Sequence, residues 1–135
     1  MKYLIDTNVF LEGLLGQEKV KEVEKLFQTI SLAQMAITDF SLHSIGVILF
    51  RLKKAELFIS FLEDMITEGM TVFSLNINDL KRLGKFCQKF TLDFDDAYQY
   101  AVAEKYNLQI ISFDKDFDRT DRKRKMPAEI LKEHE

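Results

Sequence analysis

Short apolar runs alternate with longer amphipathic segments along the whole chain. Four of the runs are β-prone and predict buried strands over residues 2–5, 35–37, 71–73 and 108–112. Each run is followed within a few residues by Asp, Ser, Thr or Asn, the residue types that cap helices. Strands that alternate with helices in this way predict βαβ units, an α/β fold class and a mostly parallel sheet.

The segments between the runs carry apolar residues at helical spacing. In the segment 18–30, for example, Val20, Val23 and Leu26 fall three residues apart and predict one buried stripe. A short helix that Gly13 and Gly16 interrupt is expected before it. Further helices are predicted over 40–52, 54–68 (ended by Gly69), from 76–78 to 90, and over 93–105.

Length and composition predict one folded domain over residues 1–135, with about 119–135 as a flexible basic tail. The chain has 135 residues, 47% of them hydrophobic and 30% charged, which is typical of a globular protein. The single cysteine, Cys87, forms no intramolecular bridge, and the first ten residues reach an acid after three apolar positions. We therefore expect neither a signal peptide nor a membrane span, and a cytoplasmic location.

Acidic residues fall at the positions where ligands bind in such folds. Asp6 follows the first strand, Asp95 and Asp96 open a late helix, and Asp114 follows the last strand. Carboxylates without cysteine or histidine partners are hard oxygen ligands that suit Mg²⁺ or Mn²⁺. A bound cation would also offset part of the net charge of −3. The pattern suggests metal-assisted phosphodiester hydrolysis.

Simpler interpretations of the same residues stay open at this stage. Asp6 and Asp93 can each act only as helix caps. The spacing of Asp114, Asp116 and Asp118 is also compatible with a calcium loop, although the glycine and the distal glutamate of an EF-hand are absent. A packed or surface role is the commoner case for a histidine placed as His43 is.

Three segments together resemble a PIN domain, the fold of many metal-dependent ribonucleases and of VapC-type toxins. They read LIDTNVFLE, ITDFSLHSIGVIL and LDFDDAYQYAVAEKYNLQIISFDKDFD, and their order covers nearly the whole chain. The resemblance implies a three-layer α/β/α sandwich on a mostly parallel sheet of four or five strands. It also implies endonucleolytic cleavage of single-stranded RNA with one or two Mg²⁺ or Mn²⁺ ions. Asp6, Asp96 and Asp114 match the catalytic, metal-binding acids.

The resemblance also indicates supporting residues, and at one position the chain departs from the family pattern. Thr7 or Asn8, and Ser112, match polar residues that orient ligands or waters. Families of this type usually carry a glutamate in the helix after the second strand, and here Ser44 takes its place. The lost negative charge should weaken metal affinity unless Asp95 or Asp116 compensates. The alternative function is a catalytically weak or inactive PIN-like module that binds RNA or protein.

The resemblance also implies partners. The chain is expected to be the toxin of a type II toxin-antitoxin pair, to bind an antitoxin protein and to form a homodimer. Phosphates of single-stranded RNA are expected to contact the basic stretch Arg119, Arg122, Lys123 and Arg124. An exposed cluster drawn from the phenylalanines would instead favour a partner-binding module; the candidates are Phe40, Phe50, Phe58 and Phe61.

Overall fold

The computed structural model describes residues 2–135, so Met1 of the expected domain lies outside the described residues. Five strands form one sheet in the order β3-β2-β1-β4-β5, and every neighbouring pair is parallel. The prediction of a parallel sheet is confirmed, and a fifth strand is added to the four expected. The strands are β1 (Tyr3–Ile5), β2 (Met35–Thr38), β3 (Thr71–Phe73), β4 (Gln109–Ile111) and β5 (Arg124–Lys125).

Helices connect the strands and cover both faces of the sheet. Two short 3₁₀ turns occur at Leu32–Gln34 and Lys115–Arg119. The α-helices are α1 (Thr7–Leu14), α2 (Val20–Thr29), α3 (Asp39–Arg51), α4 (Ala55–Glu68), α5 (Ile77–Leu80), α6 (Leu83–Phe90), α7 (Phe94–Tyr106) and α8 (Pro127–Glu133). All the predicted helical segments are helical in the structure, with two corrections.

The first correction concerns the helix predicted to run to residue 90, which is two helices. Asn76 and Asp79 form a capping box, with Asp79 N donating to Asn76 Oδ1 at 2.8 Å, and this closes a single turn. Lys105 of α7 then binds the Asp79 carboxylate at 2.7 Å and holds that turn against α7. The apolar spacing continues across the break, so it does not reveal that there are two helices.

The second correction concerns Gly13, which lies inside α1 rather than ending it. A Cβ atom at this position would come within 2.9 Å of Val23 Cγ1 on α2. Gly13 therefore allows α1 and α2 to approach closely. Gly16, with a φ of +63°, is the glycine that serves the turn after the helix.

Alternation along the strands divides the core into two layers and confirms the α/β/α sandwich. Tyr3, Ile5 and Ile37 point to one face, where they pack with α1, α2, α3, α4 and α8. Leu4 and Ala36 point to the other face, where they pack with α6 and α7. Successive side chains of a strand point to opposite faces of the sheet. Because helices cover both faces here, both sets of side chains are apolar, and the strands read as continuous apolar runs in the sequence.

Residues 119–135, expected to form a flexible basic tail, instead complete the fold. In β5, Arg124 and Lys125 pair with Ile110 and Ile111 of β4. The helix α8 packs on α2 and buries Pro127 and Ile130. The tail interpretation was wrong because two basic residues show no apolar alternation, and only their pairing with β4 makes them a strand.

The strand order places a crevice between β1 and β4. The chain runs outward from β1 to β2 and β3, then returns to add β4 on the other side of β1. In parallel sheets, ligands bind beyond the carboxyl ends of the strands at such a reversal point.

Across the described residues, every helix is too short or too polar to cross a membrane.

We predict that Ile130→Ala lowers the free energy of unfolding by about 2–5 kcal/mol, because Ile130 is completely buried against α2 and the sheet. Urea denaturation followed by circular dichroism measures this. Lys132→Ala, at an exposed position of the same helix, is the control and should change stability by less than about 0.5 kcal/mol. Equal stability of the two variants would mean that α8 does not belong to the core.

Candidate active site

An acidic cleft of about 410 Å³ opens at the carboxyl ends of the strands. It is walled by the residues after β1, the start of α3, the start of α7 and the loop after β4. Its lining residues are Asp6, Thr7, Asn8, Leu11, Phe40, Ser41, Ser44, Ile48, Asp93, Asp95, Asp96, Gln99 and Asp114. The structure therefore brings the three predicted catalytic acids, Asp6, Asp96 and Asp114, to one place.

Asp6 lies at the floor of the cleft and is almost completely buried. Its Oδ1 accepts hydrogen bonds from Thr7 N at 2.9 Å and from Gln99 Nε2 at 3.1 Å. Its Oδ2 accepts from Ser112 Oγ at 2.7 Å. Asp6 also caps α1, so the capping interpretation and the placement of a carboxylate in the cleft are both correct.

Gln99 and Thr38 connect Asp6 to the rest of the fold; the sequence indicated Thr38 only as a helix cap and did not single out Gln99. Thr38 Oγ1 donates to Gln99 Oε1 at 2.7 Å and accepts from Ser41 N at 3.0 Å, thereby capping α3. The amide of Gln99 is therefore fixed at both ends inside the protein. A sequence clue existed, since Gln99 is a polar residue one turn after Asp96 in an otherwise apolar stretch of α7.

The loop after β4 is held by Ser112 and Asn8, as supporting roles for these two would require. Ser112 Oγ accepts from Asp114 N at 2.9 Å and from Asn8 Nδ2 at 3.3 Å. Asn8 Oδ1 in turn accepts from Phe113 N at 3.2 Å. Because Ser112 also donates to Asp6, one hydroxyl sets the relative positions of the acids after β1 and β4.

Asp96, Asp114 and Asp116 form the tightest group of carboxylates. One oxygen from each lies within 4.8 Å of the other two. Oxygen ligands on opposite sides of one divalent cation lie about 4–5 Å apart, so these three carboxylates are close enough to hold one. Asp116 was expected only to support the site, yet it is a member of this group, whereas Asp6 is not.

The crowding of acids shifts their protonation. Burial raises the pKa of Asp96 to about 8, and the charges of Asp114, Asp93 and Asp6 add to this effect. Burial also raises the pKa of Asp6, while its hydrogen bonds from Ser112 and Gln99 act in the opposite direction. A cation would relieve the repulsion, which makes the site chemically suited to binding one.

The remaining predicted acids and Ser44 occupy different positions. Ser44 lines the cleft, as expected for a residue that replaces an acid there, and so does the exposed Asp95. Asp93 caps α7 by accepting from Asp96 N at 3.0 Å. The carboxylate of Asp118 pairs with Arg124 instead of joining the group of three, which removes support for a calcium loop.

Three of the four basic residues predicted to contact RNA have side-chain partners within the protein. Arg119 pairs with Asp116 at 2.9 Å and donates to the carbonyls of Phe90 and Thr91. Arg122 donates to Asn107 Oδ1 at 2.8 Å, and Arg124 binds Asp118. Lys123 is exposed at a turn. Their role in binding RNA stays a prediction.

Comparison with known proteins gives one family match and several structural neighbours. The PIN domain family model matches residues 3–123. A toxin-antitoxin complex from Klebsiella pneumoniae is 19% identical, with a TM-score of 0.69 over 86% of this chain and 90% of that one. No curated protein matches the sequence.

Two further solved structures have the same fold. VapC20 of Mycobacterium tuberculosis, described as a toxin that cleaves the sarcin-ricin loop, is 16% identical, with a TM-score of 0.74 over 87% of this chain and 93% of that one. VapBC2 from Rickettsia felis, bound to a DNA fragment from its promoter, is 15% identical, with a TM-score of 0.71 over 92% and 96%. At these identities the likeness establishes the fold.

We predict that Gln99→Leu lowers the free energy of unfolding by about 1–3 kcal/mol, because it leaves the buried hydroxyl of Thr38 and one oxygen of Asp6 short of a partner. Chemical denaturation measures the change. Gln88→Leu, at an exposed position of α6, is the matched control and should be close to wild type. A Gln99→Leu protein as stable as the control would show that this hydrogen-bonded connection is dispensable.

We also predict that the metal-free protein loses stability as the pH rises from about 4 to about 8. In this window the unfolded chain ionises Asp96 while the folded protein keeps its proton, so unfolding becomes progressively easier. Urea denaturation in EDTA at several pH values measures the slope. Asp96→Asn should flatten it, whereas Glu63→Gln, on an exposed part of α4, should keep it. An unchanged slope in Asp96→Asn would contradict the assignment.

Proposed function

The chain belongs to the PIN domain family, and from this we propose that it is a metal-dependent endoribonuclease acting on single-stranded RNA, the toxin of a type II toxin-antitoxin pair. The observation that carries the proposal is the group formed by Asp96, Asp114 and Asp116 beside the buried Asp6. These acids meet at the carboxyl ends of β1 and β4, where the fold leaves room for a ligand.

Asp96, Asp114 and Asp116 are the residues that would hold Mg²⁺ or Mn²⁺, with Asp6 facing them from the floor of the cleft. Such an ion would neutralise a phosphodiester oxygen and lower the pKa of a water. The protein's own residues prepare the site. Ser112 and Gln99 fix both oxygens of Asp6, so its orientation needs no adjustment when substrate arrives.

Asp96 is the acid whose protonation is expected to change when a cation binds. In the metal-free site it keeps a proton at neutral pH, because its pKa is raised to about 8 by burial and by the neighbouring acids. Deprotonation of Asp96 must therefore accompany metal binding. Metal affinity is expected to rise with pH through the neutral range, and so is any activity that depends on it.

The replacement at Ser44 favours a second candidate, a catalytically weak module that binds RNA or protein. Ser44 lies in the cleft wall and brings a hydroxyl where the family usually has a carboxylate. Asp116 supports the catalytic proposal over this alternative, since it supplies a third carboxylate to the group without Ser44. Asp95 lies on the exposed rim of the cleft, a less direct position from which to compensate.

The path of the RNA outside the cleft is proposed to pass Arg119 and Lys123. Arg119 borders the acidic group through its pair with Asp116, and its side chain is about half exposed. Arg122 and Arg124 are less exposed than Arg119 and Lys123 and also have partners within the protein. Their contribution to phosphate binding is therefore expected to be smaller than that of Arg119 and Lys123.

An antitoxin partner, a homodimer and a cytoplasmic location complete the proposal. Exposed apolar side chains at Phe50, Leu52 and Ile59, near the turn between α3 and α4, support contact with another protein chain. The four-phenylalanine cluster considered from the sequence is not exposed as a whole, since Phe61 is buried and Phe40 and Phe58 are half-buried. A cytoplasmic location follows from the proposed RNA substrate.

We predict that the purified protein cuts single-stranded RNA in Mg²⁺ or Mn²⁺, and that EDTA stops the reaction. Asp6→Asn and Asp96→Asn should each slow cutting by about a hundredfold or more, because the site loses several kcal/mol of charge stabilisation. Gel analysis of a labelled RNA measures the rates. Glu63→Gln on the exposed face of α4 is the control and should cut normally.

Two outcomes would redirect the proposal. Cutting that survives EDTA and both substitutions would contradict a carboxylate-metal mechanism. Absence of turnover with any divalent ion, combined with RNA or protein binding, would favour the weak-module alternative. Ser44→Glu then separates the cases, because restored cutting in that variant would attribute the inactivity to the missing acid.

A further inference from the structure

An apolar hollow opens beside the acidic cleft and is continuous with it. Its wall is built by α3 alone and consists of Phe40, His43, Ser44, Val47 and Ile48. Three of these residues, Phe40, Ser44 and Ile48, line the acidic cleft as well. Because the two surfaces share these residues, one extended ligand can contact both of them.

Phe40, which lines both the hollow and the cleft, belongs to a cluster of aromatic rings with Phe94 and Tyr98. Phe94, at the first position of α7 and two residues before Asp96, exposes 52% of its surface. Its ring lies 6.0 Å from that of Phe40 and 6.3 Å from that of Tyr98. Tyr98 is fixed because its hydroxyl donates to Asp39 Oδ1 at 2.8 Å and accepts from Leu75 N at 3.0 Å.

The distribution of charge restricts what the hollow can take. Asp93 and Asp95 stand on the cleft side of Phe94, and phosphates are repelled from there unless a cation intervenes. The hollow itself has one titratable side chain, the exposed His43. An uncharged, flat group attached to an anionic backbone matches this pairing of an apolar, aromatic surface with a metal-suited acidic one.

We propose that this hollow, together with the exposed ring of Phe94 beside Phe40, is a subsite for one unpaired nucleobase next to the phosphodiester held at the carboxylates. The proposal rests on the nuclease function proposed above and names the feature of the substrate that the site selects. A base can stack on the aromatic rings only when it is free of a duplex, because paired bases keep their faces covered.

The test measures binding of a short fluorescent oligoadenylate by anisotropy in Mg²⁺, with the full chain carrying Asp96→Asn so that cutting does not interfere. Adding Phe94→Ala should raise Kd about tenfold, the usual effect of losing one base-stacking aromatic. Tyr106→Ala is the matched control, since Tyr106 is an exposed aromatic at the other end of α7, about 18 Å away along the helix. It should leave Kd unchanged.

An oligonucleotide with abasic sites in place of its adenines separates stacking from other effects. If the subsite exists, this probe binds the parent protein weakly, and Phe94→Ala weakens it no further. The proposal is overturned if Phe94→Ala binds oligoadenylate like the parent, or if it weakens both probes equally. It is also overturned if Phe94→Ala or His43→Ala converts a dimer to a monomer in gel filtration while Kd stays constant, because the hollow would then be a protein interface.

Failure of this subsite can be distinguished from failure of the nuclease proposal. RNA cutting that depends on Asp96 but not on Phe94 would remove the subsite and leave the nuclease intact. If the protein neither cuts nor binds single-stranded RNA, both proposals fall together. Thermal denaturation of each variant checks folding, and His43→Ala provides an independent substitution of the same subsite at an exposed position.

Discussion

The hydrogen bonds that hold the buried carboxylate of Asp6 are the interactions on which the rest of the site depends. A carboxylate in the protein interior is costly unless its oxygens are satisfied, and here Thr7, Gln99 and Ser112 satisfy them. Each donor belongs to a different part of the fold. The condition that makes Asp6 tolerable therefore also fixes the positions of α7 and of the loop after β4.

This arrangement gathers more negative charge than the protein alone can stabilise. Burial, together with the charges of Asp114, Asp93 and Asp6, raises the pKa of Asp96 so that it keeps a proton, and Asp116 pairs with Arg119. A divalent cation would replace both the proton and the need for a basic partner. The folded, metal-free protein thus gives up stability in order to keep carboxylates close together, as sites that bind metals commonly do.

The residues around the acids suggest which part of a substrate would react and which part would be recognised. Acidic residues of the cleft suit a cation and the phosphate it attracts, whereas Phe40 and Phe94 offer rings beside them. Ser44, proposed to stand where the family usually has a glutamate, lies at the boundary between the two surfaces, since it lines both. A shift in charge there would alter metal binding and the neighbouring hollow together.

The sequence by itself determined the parallel sheet, most of the helices and the meeting of Asp6, Asp96 and Asp114, because apolar runs and the capping residues after them are local patterns. Gln99, β5 and the division between α5 and α6 needed the tertiary structure. Gln99 matters through partners 61 and 93 residues away, and Arg124–Lys125 is a strand only because β4 lies beside it. Such contacts depend on how distant segments of the chain pack together, and local residue patterns do not predict that packing.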